Sequence, residues 1–233
     1  RDALIINGET LGLYDIPPIS CSNEFGQLLN NPELSDFVIV PANGQELHVH
    51  QVILITKWPH FRHMYRSGMT ESQQRRMEIS EPYEVVLAFL KYLYSDQLDE
   101  EEPWQVICDV LVMANMYLLN RFKKVCCQRL YTRHLNIDTC CYIFEKAMMA
   151  EEPGLKLLAL DFMFQHYGAI LKLDLLHQIS GFARQEFYKC IPYEASLLTN
   201  QSRFQIMKNT CALTTSIASV SASLSPTSSF STN

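Results

Sequence analysis

The chain has 233 residues and a formal net charge of −6, with 48% hydrophobic residues, so it is long and apolar enough to fold into one or two domains with a hydrophobic core. The acidic balance lacks the surplus of Lys and Arg that nucleic-acid binders use to neutralise phosphates. No apolar run approaches the ~20 residues of a membrane span. We therefore expect neither nucleic acid nor a membrane as a partner.

The first predicted elements are a capped helix and a hairpin. Residues 1–20 combine a short apolar run with turn residues, which is typical of a linker or of the end of an upstream domain. The stretch SCSNEFGQLLNN predicts a helix whose apolar side carries Cys21, Phe25 and Leu28. In DFVIVPANGQELHVH, an apolar strand, an Asn43-Gly44 turn and an alternating strand predict a β-hairpin.

From residue 51 the apolar spacing becomes helical. QVILITKWPHFRHMYRSG predicts a helix, or a helix interrupted near Pro59, because proline lacks an N–H donor. RRMEIS predicts a short strand, and YEVVLAFLKYLYS predicts a strongly amphipathic helix. A further helix follows Pro103, with an apolar side formed by Ile107, Val110, Leu111, Ala114 and Leu118.

The remaining chain is predicted to be helical and then unstructured. NRFKKVCCQRLYTRHL, NIDTCCYIFEKAMMAEE, PGLKLLALDFMFQHYGAIL and LDLLHQISGFARQEF each read as a helix. The Lys and Arg residues of 121–133 indicate a solvated helix face more than a phosphate-binding patch. The Ser/Thr-rich residues 206–233 predict a disordered tail.

Two residue types invite a test for metal binding. His48 and His50 share a strand face, which permits two metal ligands, and His60 and His63 follow at i, i+3 further along the chain. The eight cysteines include two adjacent pairs but no CxxC, which suits neither a zinc ribbon nor a simple disulfide framework. We expect no metal, no cofactor and a reducing compartment, cytoplasmic and/or nuclear.

Several collinear motifs resemble a BTB/POZ domain followed by a BACK domain. NEFGQLLNNPELSDFVIV is similar to the first helix and strand of speckle-type MATH-BTB adaptors, with Asp36 before the strand, and GQELHVHQVILITKWPHFRHMYRSGMTES is similar to the second strand and the helix that His50 begins. MEI, FLKYLYSDQL and MANMYLLNRFKKVCCQRL resemble the later strand and helices. The resemblance implies an α+β fold, a small sheet flanked by helical hairpins, over residues 21–135, and an all-helical BACK-like region over 136–205.

The resemblance implies a homodimeric protein-interaction module. Such domains dimerise through the first helix, which carried over to this chain names Cys21, Phe25, Leu28 and, from the next helix, Ile53. The alternative is that the first helix packs within its own subunit. No catalytic motif such as GxGxxG, GxSxG or HExxH is present, so we expect no enzyme activity.

The resemblance also implies a role as substrate adaptor of a cullin-3 RING ubiquitin ligase, as in MATH-BTB or kelch-BTB proteins. A hydrophobic-x-Glu motif is met by Met69 and Glu71, and Tyr117, Leu119 and Asn120 match a second contact region for the cullin-3 N-terminal domain. A cleft for the cullin's extended segment would involve the residues Ile143 and Phe144, which equally suit a core position. The protein substrate would bind a domain outside residues 1–233.

The alternative function is a transcriptional corepressor or architectural dimerisation module. Repressor BTB domains use a charged pocket built on the Asp before the first strand and a Lys or Arg after the helix-start His. Here Asp36 is present, but Gln51 takes the second position, which favours the adaptor.

Overall fold

The structure, a computed structural model, describes residues 5–6, 9–10, 23–68 and 70–191. Cys21, Met69 and the predicted tail of residues 206–233 lie outside the described residues. The chain divides into two compact units, one ending at Ile179 and the other beginning at Ser180.

The strands of the first unit form two small sheets. β1 (Ile5–Ile6) pairs antiparallel with β2 (Glu9–Thr10). β3 (Phe37–Val40), β4 (Leu47–Val49) and β5 (Arg76–Glu78) form a three-stranded sheet in the order β4-β3-β5. β3 runs antiparallel to β4 and parallel to β5.

The hairpin of β3 and β4 confirms the prediction from sequence. Gly44 has a φ of 77°, which favours glycine, and its N–H donates to the Pro41 carbonyl at 2.9 Å. Leu47 and Val49 are both fully buried, as their alternation predicts.

Helices make up most of the remaining described residues. Those of the first unit are α1 (Gln51–Lys57), α2 (Pro59–Arg66), α3 (Thr70–Gln74), α4 (Tyr83–Ser95), α5 (Trp104–Met116), α6 (Asn120–Arg129), α7 (Cys140–Met149), α8 (Pro153–Gln165) and α9 (Tyr167–Lys172). Short 3₁₀-helices cover Asn23–Leu28 and Leu175–Gln178, and a π-helical turn covers Leu130–His134. The second unit contains α10 (Gly181–Lys189), whose first turn is capped by the Ser180 hydroxyl.

Pro59 interrupts the first long helical segment, as one of the two predictions allowed. α1 ends at Lys57, and Trp58 is the extended residue between the two helices. Because proline lacks an N–H, it is tolerated in the first turn of α2. The interruption turns the Trp58 ring into the core, where it is fully buried against Phe61 and Phe89.

Two predicted helices differ in extent from those of the structure. α5 ends at Met116, and Leu118 has a φ of 59° and a side chain that is 74% exposed, so its assignment to the apolar side was wrong. The helix predicted over residues 173–187 is divided, because Ile179 and Ser180 are extended between the 3₁₀-turn and α10.

The core of the first unit centres on α4. Its apolar side chains at i, i+3, i+4, i+7 and i+8 are all buried, namely Val86, Phe89, Leu90, Leu93 and Tyr94. Stacking of Tyr92 on Phe122, with ring centroids 3.6 Å apart, joins α4 to α6. Burial of such large rings supplies much of the stability of a small core.

Two lysines join α7 and the start of α8 to the preceding helices. Lys146 of α7 pairs with Asp109 of α5, with Nζ and Oδ1 2.6 Å apart. Lys123 of α6 donates to Asn115 Oδ1 at 2.7 Å and lies 2.8 Å from Glu152 Oε1. We call Lys123, Lys146 and these three partners the lysine clamp.

Candidate functional site

The histidines that opened the question of a metal site have separate surroundings. The Tyr94 hydroxyl accepts the His50 backbone N–H at 2.8 Å and lies 3.0 Å from His50 Nδ1. Both residues are buried, and this contact holds the backbone of His50 at the start of α1. His48 Nδ1 lies 3.4 Å from the Ser35 hydroxyl. Across the described residues, no three His, Cys, Asp or Glu side chains are close enough together to hold a metal ion.

Asp36 and Gln51 bond to each other. The Gln51 backbone N–H donates to Asp36 Oδ1 at 2.7 Å, and Gln51 Nε2 donates to the Asp36 carbonyl at 2.8 Å. The carboxylate thereby satisfies one of the unpaired N–H groups at the start of α1. At the two positions that form the charged pocket of repressor domains, this chain therefore has a carboxylate and an amide that are hydrogen-bonded within the fold.

A groove of about 740 Å³ lies between α2, α3 and β5. We call it the edge groove, and its lining comprises His60, His63, Met64, Ser67, Thr70, Glu71, Gln74, Arg76, Met77 and Glu78. Its volume falls within the range of about 300–1,000 Å³ typical of ligand pockets. Met64 is buried, whereas both histidines and Glu78 are exposed, so the groove has an apolar base and polar rims.

The turn between α5 and α6 lies beside this groove. The Tyr117 ring lies 5.2 Å from the His60 ring and 4.7 Å from the Trp58 ring, measured between centroids. Burial, with Glu81 nearby, raises the pKa of Tyr117 above its ordinary value of 10.0. His60 therefore lies beside the Tyr117 ring and also belongs to the lining of the edge groove.

Part of the predicted cullin contact set is accessible in the structure. Asn120 is exposed, and Glu71, Tyr117 and Leu119 are half-buried. Met69 precedes α3 but lies outside the described residues. Ile143 and Phe144, by contrast, are fully buried, so in this conformation they are core residues and do not line an open cleft.

The predicted dimer contacts show different degrees of exposure. Phe25 is 48% exposed, whereas Leu28 and Ile53 are half-buried. The sequence prediction missed Val52, which is 69% exposed on α1. Its apolar side chain next to Ile53 was the available signal.

Sequence reasoning also missed His60, His63 and Leu118. The two histidines were considered only as metal ligands, although their i, i+3 spacing on α2 puts them on one helix face. Leu118 was assigned to the apolar side of its helix. Its exposure follows from the left-handed backbone that ends α5, a feature that apolar spacing does not reveal.

The basic segment of residues 121–133 is largely used within the fold. Arg121 donates to the Tyr92 hydroxyl and to the Asp96 carbonyl, each at 2.9 Å. Arg129 donates to the carbonyls of Asp99 and Glu100, each at 3.1 Å. These contacts hold the loop after α4, so these two cations differ from the solvated side chains expected from sequence.

The described thiols in α5 and α6 are buried. Burial raises the pKa values of Cys108, Cys126 and Cys127 above their ordinary value of 9.0. A cysteine nucleophile instead requires a lowered pKa and access to solvent. These side chains therefore act as small hydrophobes within the core. None of the described helices has both the length and the hydropathy needed to cross a membrane.

The model of the BTB/POZ domain family matches residues 25–134 of the chain. The inhibitor of Bruton tyrosine kinase from Homo sapiens is 29% identical over 167 residues, which are 68% of this chain and 12% of that protein. Its Mus musculus counterpart is 28% identical over 151 residues, 63% of this chain and 11% of that protein.

A second kind of curated relative is TD and POZ domain-containing protein 2 from Mus musculus, 28% identical over 152 residues, 65% of this chain and 41% of that protein. The chain thus spans between about a tenth and two fifths of these relatives. Among solved structures, the BTB (Tramtrack and Bric a brac) domain of human gigaxonin is 23% identical, with a TM-score of 0.36, covering 49% of this chain and 98% of that chain.

Proposed function

We propose that this chain is a homodimeric substrate adaptor of a cullin-3 RING ubiquitin ligase, because the model of the BTB/POZ domain family, a protein-interaction fold that supports self-association, matches residues 25–134. The chain would supply docking surfaces, and the transfer of ubiquitin would be carried out by other proteins. The protein substrate would be held by a domain outside residues 1–233.

The observation that carries this proposal is the junction at His60. Glu71 on α3 and Tyr117 in the turn before α6 are distant in sequence. His60 belongs with Glu71 to the lining of the edge groove, and its ring lies 5.2 Å from the Tyr117 ring. A partner helix resting on His60 would meet both regions at once. Together with Leu119 and Asn120, and with Met69 by its position in sequence, they form the proposed cullin surface.

The chemistry of this surface suits a docking partner more than a reaction. Leu118 adds an apolar side chain that is 74% exposed next to Tyr117, and Glu71 adds a carboxylate at the rim of the groove. Glu71 would pair with a base or cap a helix N-terminus of the partner. We include Leu118 in the surface and leave out Ile143 and Phe144, which are buried.

Self-association is proposed to use the N-terminal apolar side chains. Phe25 and Val52 are large hydrophobic residues with about half or more of their surface exposed, and Ile53 is half-buried beside Val52. A two-fold partner would cover such a face with its own copy. Cys21 and Leu28 remain in the proposed contact set.

The corepressor alternative has less support. A repressor pocket of the kind described for the family needs a cation next to Asp36. Gln51 is instead 8% exposed and engages both the carboxylate and the carbonyl of Asp36. A peptide that seeks the cation of such a pocket would find a neutral amide already bonded.

The proposal is tested by measuring the binding of the chain to the cullin-3 N-terminal domain by isothermal titration calorimetry. Glu71→Lys reverses a charge in the edge groove, and Glu101→Lys makes the same change on an exposed residue outside the groove lining. We expect Glu71→Lys to weaken binding at least about tenfold, or about 1.4 kcal/mol, and Glu101→Lys to leave it within about twofold.

Two outcomes would count against the assignment. Equal binding by both variants would remove Glu71 from the contact surface. No binding by the unmodified chain would remove cullin-3 as the partner. Leu118→Asp should also weaken binding, because it would bring a charge into an interface whose centre is apolar.

A further inference from the structure

β5 lies at the edge of the three-stranded sheet, and its outer side faces away from β3. The Val38 N–H donates to the Arg75 carbonyl at 3.0 Å, and the Ile79 N–H donates to the Val40 carbonyl at 2.9 Å. Alternation along a parallel pair then directs the main chain of Met77 toward β3 and that of Arg76 and Glu78 away from it. Within the described part of the chain, no strand pairs with this outer edge.

The edge groove runs along this strand. All three residues of β5 line it, and the opposite walls come from α2 and α3. Met64 and Met77 supply flexible thioethers that adapt to the shape of an apolar side chain. A strand added at this edge would therefore place alternate side chains toward the methionines.

The other alternate side chains would meet carboxylates. Glu71 and Glu78 both line the groove, and neither forms an ion pair with another described residue. Arg76, the cation of the strand, is already paired with Glu46 across the sheet. Charge complementarity in the groove thus favours a basic segment over an acidic one.

We infer that the edge groove binds an extended peptide segment in which basic and apolar residues alternate, by adding it as a strand to β5. Main-chain hydrogen bonds to Arg76 and Glu78 supply part of the affinity, and the alternate side chains supply the selectivity. At about 3.3 Å per residue, the three residues of β5 pair with a similar number of peptide residues. The inference concerns a different ligand from cullin-3 and does not require the adaptor role.

The test uses fluorescein-labelled hexapeptides of alternating Arg and Leu and measures fluorescence anisotropy with the full chain. Two further peptides of the same charge carry N-methyl groups, one on every Arg amide and the other on every Leu amide. Because an added strand donates only alternate amides to its neighbour, we expect one N-methylated peptide to lose at least about tenfold in affinity and the other to retain it.

Protein variants locate the site. Glu78→Lys and Glu71→Lys should each weaken binding of the Arg/Leu peptide at least about tenfold, whereas Glu101→Lys should change it less than about twofold. A hexapeptide of alternating Glu and Leu should not bind. Circular dichroism of each variant verifies the fold, and the exposed position of Glu78 predicts no loss of helix or strand.

Three results would overturn the inference. Equal binding of both N-methylated peptides would mean that attraction between charges suffices and that no strand is added. Binding that is equally strong in Glu78→Lys and Glu101→Lys would place the peptide elsewhere. The absence of binding by the Arg/Leu peptide would exclude this ligand class, while the cullin-3 titration would still decide the adaptor role separately.

Discussion

Tyr94 is the residue on which the start of α1 depends. Its hydroxyl accepts the His50 backbone N–H and lies within hydrogen-bond distance of His50 Nδ1, and both residues are buried. A buried donor that loses its partner costs about 1–3 kcal/mol. The start of α1 at His50 thus depends on a contact with a residue 44 positions further along the chain.

We therefore predict that Tyr94→Phe lowers the free energy of unfolding by about 1–3 kcal/mol, measured by urea denaturation. Tyr65→Phe is the matched control, since Tyr65 is 40% exposed, and it should shift stability by less than about 0.5 kcal/mol. Equal unfolding midpoints for Tyr94→Phe and the unmodified chain would show that the hydroxyl contributes no net stability.

The raised pKa of Tyr94 also leads us to predict that the free energy of unfolding falls at alkaline pH. Burial raises its pKa from 10.0 to about 12, so the folded state keeps a proton that the unfolded chain has released. Stability present below pH 10 is then lost as the pH rises from 10 toward 12. Tyr94→Phe should lose less stability over that interval than the unmodified chain, and an identical pH dependence would argue against this residue as a source.

At the scale of elements, the lysine clamp holds α7 and the start of α8 to α5 and α6. Lys123 has a side chain that is 10% exposed, and its partner Glu152 is 19% exposed. Lys146 also lies over the Tyr142 ring, with Nζ 5.1 Å from the centroid. The clamp therefore joins helices within residues 25–134 to helices that follow them.

Lys123→Met should destabilise the chain by about 1.5–3 kcal/mol, because Glu152 and Asn115 lose a charged hydrogen-bond partner. Lys91→Met removes a lysine whose pair with Asp99 is more than 40% exposed on both sides, and it should cost at most about 1 kcal/mol. Hydrogen exchange should rise at α7 and α8 in the first variant. Unchanged exchange there, with equal costs for the two variants, would contradict the clamp.

Elements with strict apolar periodicity were predictable from sequence, and their ends were less so. The β3–β4 hairpin and α4 follow from alternation and 3.6-residue spacing, because one face of each is buried. The end of α5 and the break at Ile179 depend on backbone angles that apolar spacing does not encode. α3 was not predicted, since its five residues carry no apolar stripe.

The candidate site was only partly predictable for a related reason. Glu71 and Tyr117 were named through resemblance, but their connection through His60 joins elements that are far apart in sequence. The outer edge of β5 becomes visible only once the strand order is known. Periodicity reports which face of an element is buried and does not report which elements become neighbours.

On the scale of the whole molecule, the described surfaces favour binding to proteins. The segment 25–134, which the model of the BTB/POZ domain family matches, has exposed apolar side chains on its first helices and at the turn after α5. Its described cysteines in α5 and α6 are core residues. The side chains of Arg121 and Lys123 bond to other residues of the fold. The predicted domain limits, with a BACK-like region over 136–205, remain a prediction.

The most direct test of the adaptor account is multi-angle light scattering of the chain at micromolar concentration, alone and with an equimolar amount of the cullin-3 N-terminal domain. We predict a mass near twice the 26.9 kDa of one chain when it is alone, and a complex with one cullin domain per chain in the mixture. A mass of one chain, with the cullin domain eluting separately, would contradict the account.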